Sequence, residues 1–117
     1  MRIIGIGTDI VDIRRLKKAS ELKRVAQFVL CHTELQSMKR SRDKAQFVAS
    51  LFALKEAIIK AFPGKLTYKD IEISKTGAKP SATLVHTNRR LTSLKCSIFI
   101  SLAHEKDYTV GYAILCR

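Results

Sequence analysis

The chain has 117 residues, 46% of them hydrophobic, with 22 Lys and Arg against 10 Asp and Glu, a formal charge of +12. That length predicts a single domain over 1–117, and that apolar content excludes a disordered tail. The charge draws polyanions (nucleic acid, anionic membrane, phosphorylated small molecules or an acidic protein) without choosing among them.

In chain order, Arg2 to Ile10 reads as a strand rich in isoleucine, with Gly5 and Gly7 marking a close backbone approach or a bulge. Asp12 can cap a basic helix running to about Ser20, which carries Arg14, Arg15, Lys17 and Lys18. A second helix is predicted from Glu21 to Leu30, with Leu22, Val25, Phe28 and Val29 as its apolar face, and a short third from Thr33 to about Arg40. Asp43 precedes the longest helical pattern, Ala45 to Phe62, which Pro63-Gly64 terminates. The second half is strand-like. Ile71 and Ile73 alternate with charges, Thr76 to Pro80 is a turn, and Ala82 to His86 is a strand. Asn88 to Leu94 is a short helix or loop. Cys96 to Leu102 and Tyr108 to Leu115 are apolar strands joined by the polar turn Ala103 to Asp107. The outline is α+β, a helical half packed on an antiparallel sheet.

Cys31, Cys96 and Cys116 lack CxxC spacing and fit free thiols in a reducing compartment. No apolar run reaches the length of a membrane span. The N-terminus lacks the long apolar segment and cleavage site of a signal peptide. A cytoplasmic protein is expected.

The long helix carries the sharpest signal. Thirteen of its 18 residues are Ala, Val, Leu, Ile or Phe, and they cover every side. Such a helix is normally buried, yet it holds Lys55, Glu56 and Lys60. A buried carboxylate needs a partner. Two readings of Glu56 stand. One is an i,i+4 ion pair with Lys60 on a solvated strip. The other is a hard-cation site shared with Asp9 of the GIGTD segment, where magnesium takes one or two carboxylates plus substrate phosphates. Lys60 would then neutralise phosphate charge. Asp9 alone also reads as a cap of the next turn, and His104 as a phosphate contact, a proton carrier or a plain surface residue. His32 and His86 read as surface residues. No Cys/His spacing supports zinc. The basic stretch at Arg14 and Arg15 reads as a solvated face or as a dock for an acidic partner. With Phe 5, Tyr 3 and Trp 0, and none interleaved with that stretch, a base-stacking platform is poorly supported.

Taken together, GIGTDIVDI, FALKEAIIKAF, DIEI, GAKP and ISLAHEKDYTVGYAIL resemble the small holo-acyl-carrier-protein synthases, a class of 4′-phosphopantetheinyl transferases. The resemblance covers essentially the whole chain. It implies that family's α+β fold, assembled as a homotrimer with active sites at subunit interfaces. It implies a transferase of fatty-acid biosynthesis that moves the phosphopantetheine arm of coenzyme A to a serine of acyl carrier protein. Adenosine 3′,5′-bisphosphate is released. Asp9 and Glu56 match the family's magnesium ligands, Lys60 the lysine near the coenzyme phosphates, and His104 the histidine of the C-terminal motif. Arg14 and Arg15 match the segment that docks the acidic carrier. Leu51 stands where the family usually has Arg, Phe99 where it has His, and Ala103 where it has a hydroxyl residue. The loop after the long helix is shortened, and Lys65 is the nearby cation there. These departures bear on how the adenine and 3′-phosphate are held. The rival reading, a basic nucleic-acid-binding module without catalysis, explains the charge but not the carboxylate in the apolar helix.

Overall fold

The computed structural model describes residues 1–85 and 95–117. In chain order it contains strand β1 (Ile3–Asp12), helices α1 (Ala19–Val29), α2 (His32–Lys39) and α3 (Lys44–Ala61), and strands β2 (Ile71–Thr76), β3 (Lys79–Leu84), β4 (Ser97–His104) and β5 (Tyr108–Cys116). Single 3-10 turns occupy Ile13–Leu16 and Tyr68–Asp70. One antiparallel sheet has the order β1-β5-β4, and β2-β3 forms a separate hairpin. The α+β expectation holds, with α3 lying across the three-stranded sheet.

Small residues set how closely α3 lies. Ala49, Ala53 and Ala57 are fully buried on it, and Ala61 nearly so. They recur every four residues and so form one stripe. Opposite them, a Cβ on Gly5 would fall 1.7 Å from the Ala61 carbonyl oxygen, and one on Gly7 1.8 Å from that of Ala57. One on Gly111 of β5 would fall 2.5 Å from the Ala53 backbone. Gly5 and Gly7 therefore do mark a close backbone approach, and the approaching backbone is the helix.

α3 is buried nearly all round, as its composition predicts. Asp43 caps it by accepting from the Gln46 amide at 3.0 Å. Its fully buried charge is Lys55. The Lys55 Nζ donates to Glu34 Oε1 at 2.6 Å, to the Val29 carbonyl at 2.9 Å and to the Tyr68 carbonyl at 3.0 Å. All three ammonium protons are thus used. Glu34, itself buried, also accepts from the Cys31 and Ile73 amides at 2.8 and 2.7 Å. One ion pair joins α1, α2, α3 and β2.

Several boundaries differ from expectation. The basic helix from Asp12 is a 3-10 turn, because β1 stays paired with β5 as far as Asp12↔Tyr108. Phe28 is 69% exposed rather than part of the α1 core face. β3 begins at Lys79, ahead of the expected Ala82. β4 runs on to His104, placing that residue in the ladder opposite Thr109. His86 and the Asn88–Leu94 expectation lie outside the described residues. The three cysteines are free. Among the described residues, no helix is long and apolar enough to cross a membrane.

Gly7→Ala forces α3 and β1 apart, because the blocking atom is a backbone carbonyl. Overpacking of this kind costs about 1–3 kcal/mol. Denaturant titration should record that loss, and a wild-type midpoint would refute the seam.

Candidate functional site

The seam brings Asp9 of β1 beside the C-terminal half of α3. Lys60 Nζ donates to Asp9 Oδ1 and to the Thr8 carbonyl, each at 3.0 Å. The Asp9 side chain is 20% exposed and that of Lys60 51%. An ion pair this open to water contributes at most about 1 kcal/mol, so it fixes geometry more than it stabilises. The Glu56–Lys60 ion pair, one of the two readings of Glu56, does not form, since the lysine turns to the strand instead. Glu56 Oε1 accepts from the Tyr68 hydroxyl.

Tyr68 closes the group. Its ring meets Phe28 and Phe52 edge-on, with centroids 5.5 and 5.8 Å away. Burial, the hydrogen bond to Glu56 and the nearby charges of Glu56 and Asp9 push its phenol well above the ordinary tyrosine range. It therefore remains a proton donor. Sequence reasoning missed Tyr68. The available signal was that a carboxylate in an otherwise apolar helix needs a donor.

Asp9 and Glu56 thus each have one oxygen held by the protein. Asp9 Oδ2 and Glu56 Oε2 make no hydrogen bond or ion pair among the described residues. No group of three or more His, Cys, Asp or Glu side chains with metal-binding geometry occurs among the described residues. Two carboxylates without a third ligand do not make a closed zinc site. They suit a hard cation that keeps waters and completes its shell with substrate oxygens.

A second feature lies elsewhere. A cavity of about 570 Å³ is lined by Arg42, Ser50, Leu51, Glu72, Lys75 and His104, among others, and not by Asp9, Glu56 or Lys60. At 100° per residue, Glu56 and Lys60 fall on roughly the opposite side of α3 from Ser50, Leu51 and Leu54. His104 is exposed and projects on the core side of β4 together with Ile98, Ile100 and Leu102. Within this chain His104 lines the cavity and not the carboxylate site. Lys65 is exposed and has no hydrogen bond or ion pair among the described residues.

The opposite face of the sheet exposes two apolar rows, with Thr8, Tyr112 and Ser101 between them. Ile6, Ile114 and Phe99 align across β1-β5-β4, and so do Ile10, Val110 and Ala103. Ile6 is 57% exposed, Ile10 60% and Phe99 52%. Phe99 and Ala103 therefore belong to this face and not to the cavity, whereas Leu51 lines the cavity.

Arg14 and Arg15 separate. Arg14 is clamped by Asp12, with Nε and Nη2 each 3.0 Å from its carboxylate, and Nη2 also donates to the Tyr108 hydroxyl. The hydrogen bond and charge of Asp12 hold its guanidinium protonated well beyond the usual range. Arg15 is exposed, with no ion pair among the described residues.

The 4′-phosphopantetheinyl transferase superfamily model matches residues 5–113. The chain is 33% identical to a holo-[acyl-carrier-protein] synthase of Clostridium kluyveri, over 97% of this chain and 90% of that protein. A crystal structure of such a synthase from Bacillus anthracis, in complex with CoA (3′,5′-ADP), superposes with a TM-score of 0.82 at 25% identity. That match covers 98% of this chain and 97% of the other. The synthase of Helicobacter pylori, in complex with coenzyme A, gives 0.76 at 28% identity, over 95% and 99%.

Proposed function

Since the chain belongs to the 4′-phosphopantetheinyl transferase superfamily, we propose that it moves the 4′-phosphopantetheine arm of coenzyme A to a serine hydroxyl of an acidic acyl carrier protein. The observation that carries this reading is the ion pair between Lys60 and Asp9, 51 residues apart, with Glu56 one helical turn before Lys60 on the same helix. The names and coenzyme complexes of its relatives support the substrates.

Asp9 and Glu56 would hold magnesium through their unengaged oxygens. Bound there, magnesium supplies neutralisation of the pyrophosphate charge. Lys60, half exposed, adds a second positive charge toward the same phosphates. The carrier serine oxygen attacks the β-phosphorus, and the diphosphate bond breaks. Adenosine 3′,5′-bisphosphate departs, and the serine proton leaves through a carboxylate or a water.

The site is completed between subunits of a homotrimer. Two observations support this. The cavity with His104 and the carboxylates lie on different sides of α3, and the sheet face away from α3 exposes Ile6, Ile10 and Phe99. Packing that face around a three-fold axis would bury Ile6, Ile10 and Phe99, and in the shared-site reading one subunit's cavity would meet its neighbour's carboxylates. His104 would then contact coenzyme A bound to the adjacent subunit. Lys65 would supply a further cation toward it. Arg15 is the better candidate than Arg14 for meeting the carrier, because Arg14 is already occupied by Asp12.

Mass spectrometry of apo carrier protein, incubated with the chain, magnesium and coenzyme A, tests the reaction. A phosphopantetheine increment is expected. Asp9→Asn and Glu56→Gln should each reduce it at least a hundredfold while leaving the fold intact, because metal ligation needs the anion. Near-wild-type transfer by either variant removes that residue from the site. No increment with wild type, beside salt-sensitive RNA binding, would favour a nucleic-acid module.

Light scattering should give the mass of a trimer. Phe99→Glu should yield a monomer with little activity although Asp9, Glu56 and Lys60 are untouched. A fully active monomer contradicts the shared site.

Arg15→Glu should raise KM for the carrier about tenfold or more, with KM for coenzyme A nearly unchanged. Added salt should narrow the gap between variant and wild type, since the charge acts mainly on encounter. Equal loss for both substrates would place Arg15 in the coenzyme pocket instead.

A further inference from the structure

Tyr68 is held more firmly than a hydroxyl on a loop requires. Its carbonyl accepts from Lys55, which is fully buried and locked to Glu34 at 2.6 Å. Its ring is wedged against Phe28 and Phe52 at 5.5 and 5.8 Å. The turn that carries it is closed by Asp70, which accepts from the Thr67 amide and hydroxyl, each at 2.9 Å. Lys69, the next residue, donates to the Gln27 and Leu30 carbonyls at 2.9 and 2.8 Å. Backbone, ring and flanking residues are all fixed, and the hydroxyl they aim makes its one hydrogen bond, among the described residues, to Glu56.

We infer that Tyr68 is a positioning residue for the cation site: its hydroxyl pins Glu56 Oε1, so that the side chain is ordered and Oε2 is left for the cation. This rests on the metal reading above. A glutamate has three rotatable bonds, and ordering them when the cation arrives weakens binding. A donor on the second oxygen fixes the side chain beforehand. Partners of this kind behind a ligating carboxylate commonly change metal affinity 10–100-fold. Lys60 holds Asp9 Oδ1 in the same manner. The two carboxylates are thus oriented by different donors, and only Tyr68's is a neutral group. Tyr68 can therefore keep its bond to Glu56 as phosphate binds, whereas the Lys60 ammonium is itself attracted to the phosphates.

Tyr68→Phe isolates the effect, because the ring contacts with Phe28 and Phe52 survive and only the hydroxyl is lost. Manganese(II) binding is measured by electron paramagnetic resonance on the full chain with saturating coenzyme A and no carrier protein, so that nothing turns over. Glu56→Gln should abolish the bound signal. Tyr68→Phe should raise the manganese Kd about tenfold, with an unchanged melting temperature. In the transfer assay the magnesium concentration for half-maximal rate should rise by a similar factor, and kcat at saturating magnesium should return to within about twofold of wild type. If Tyr68→Phe binds manganese like wild type while Glu56→Gln does not, the positioning role is wrong and the metal site stands. If Glu56→Gln also binds normally, the metal reading itself fails. A drop in melting temperature with equal loss of rate at every magnesium concentration would make the hydroxyl structural and overturn the inference.

Discussion

The structure hangs on backbone-to-backbone contact between α3 and the strands β1 and β5. Helices usually sit on sheets at a distance set by their side chains, near 10 Å. Here Gly5, Gly7 and Gly111 face an alanine stripe, and the layers close until carbonyl oxygens occupy the places of missing side chains. That proximity lets a lysine of the helix reach an aspartate of the strand. A wider spacing would leave Asp9 and Lys60 each to water. The glycines of the N-terminal motif thus act on the helix, and through it on the site.

Around this seam the helical half is organised by one buried ion pair. Lys55 and Glu34 sit in nearly complete isolation from solvent. Removing two charges from water can offset most of their attraction, so the net contribution of such a pair is small. Its value is specificity. An ammonium with three fixed acceptors and a carboxylate with three fixed donors admit few other arrangements of α1, α2, β2 and the Tyr68 turn. The charged residue with the strongest demand in α3 is the one that builds the scaffold, and its neighbour Glu56 is left partly open to water.

Much of this was legible in the sequence. The apolar 18-residue stretch announced α3, Asp43 its start and Pro63-Gly64 its end. The GIGTD and KEAIIK segments pointed to Asp9, Glu56 and Lys60, and Lys60 does reach Asp9. What was not legible depends on contacts between distant segments. An i,i+4 spacing allowed Glu56 to pair with Lys60, but strand β1, 50 residues away, supplied Lys60 with a better-placed partner. A helix apolar on all sides implied that Lys55 was buried too, yet nothing local named Glu34 as its counter-ion. Asp12 to Ser20 has helical composition, but pairing of β1 with β5 holds its first residues extended. The place of Phe99 and Ala103 on the outer sheet face, and of Leu51 in the cavity, follows only from register. Alternation along β4 alone does not say which face meets α3.

The central strand of the sheet is the last one made. β1 pairs with β5 from Ile3↔Cys116 to Asp12↔Tyr108, so the sheet joins segments roughly a hundred residues apart. On a ribosome adding about 5–20 residues per second, β1 waits several seconds without its neighbour. Contacts of such sequence separation also slow folding, because loop closure must precede the reward of pairing. Throughout that interval the helices can form and Lys55 can find Glu34, while β1 remains an isoleucine-rich edge exposed to other chains. Asp9 rides on that strand. The protein can therefore possess most of its helical structure well before it possesses its carboxylate pair.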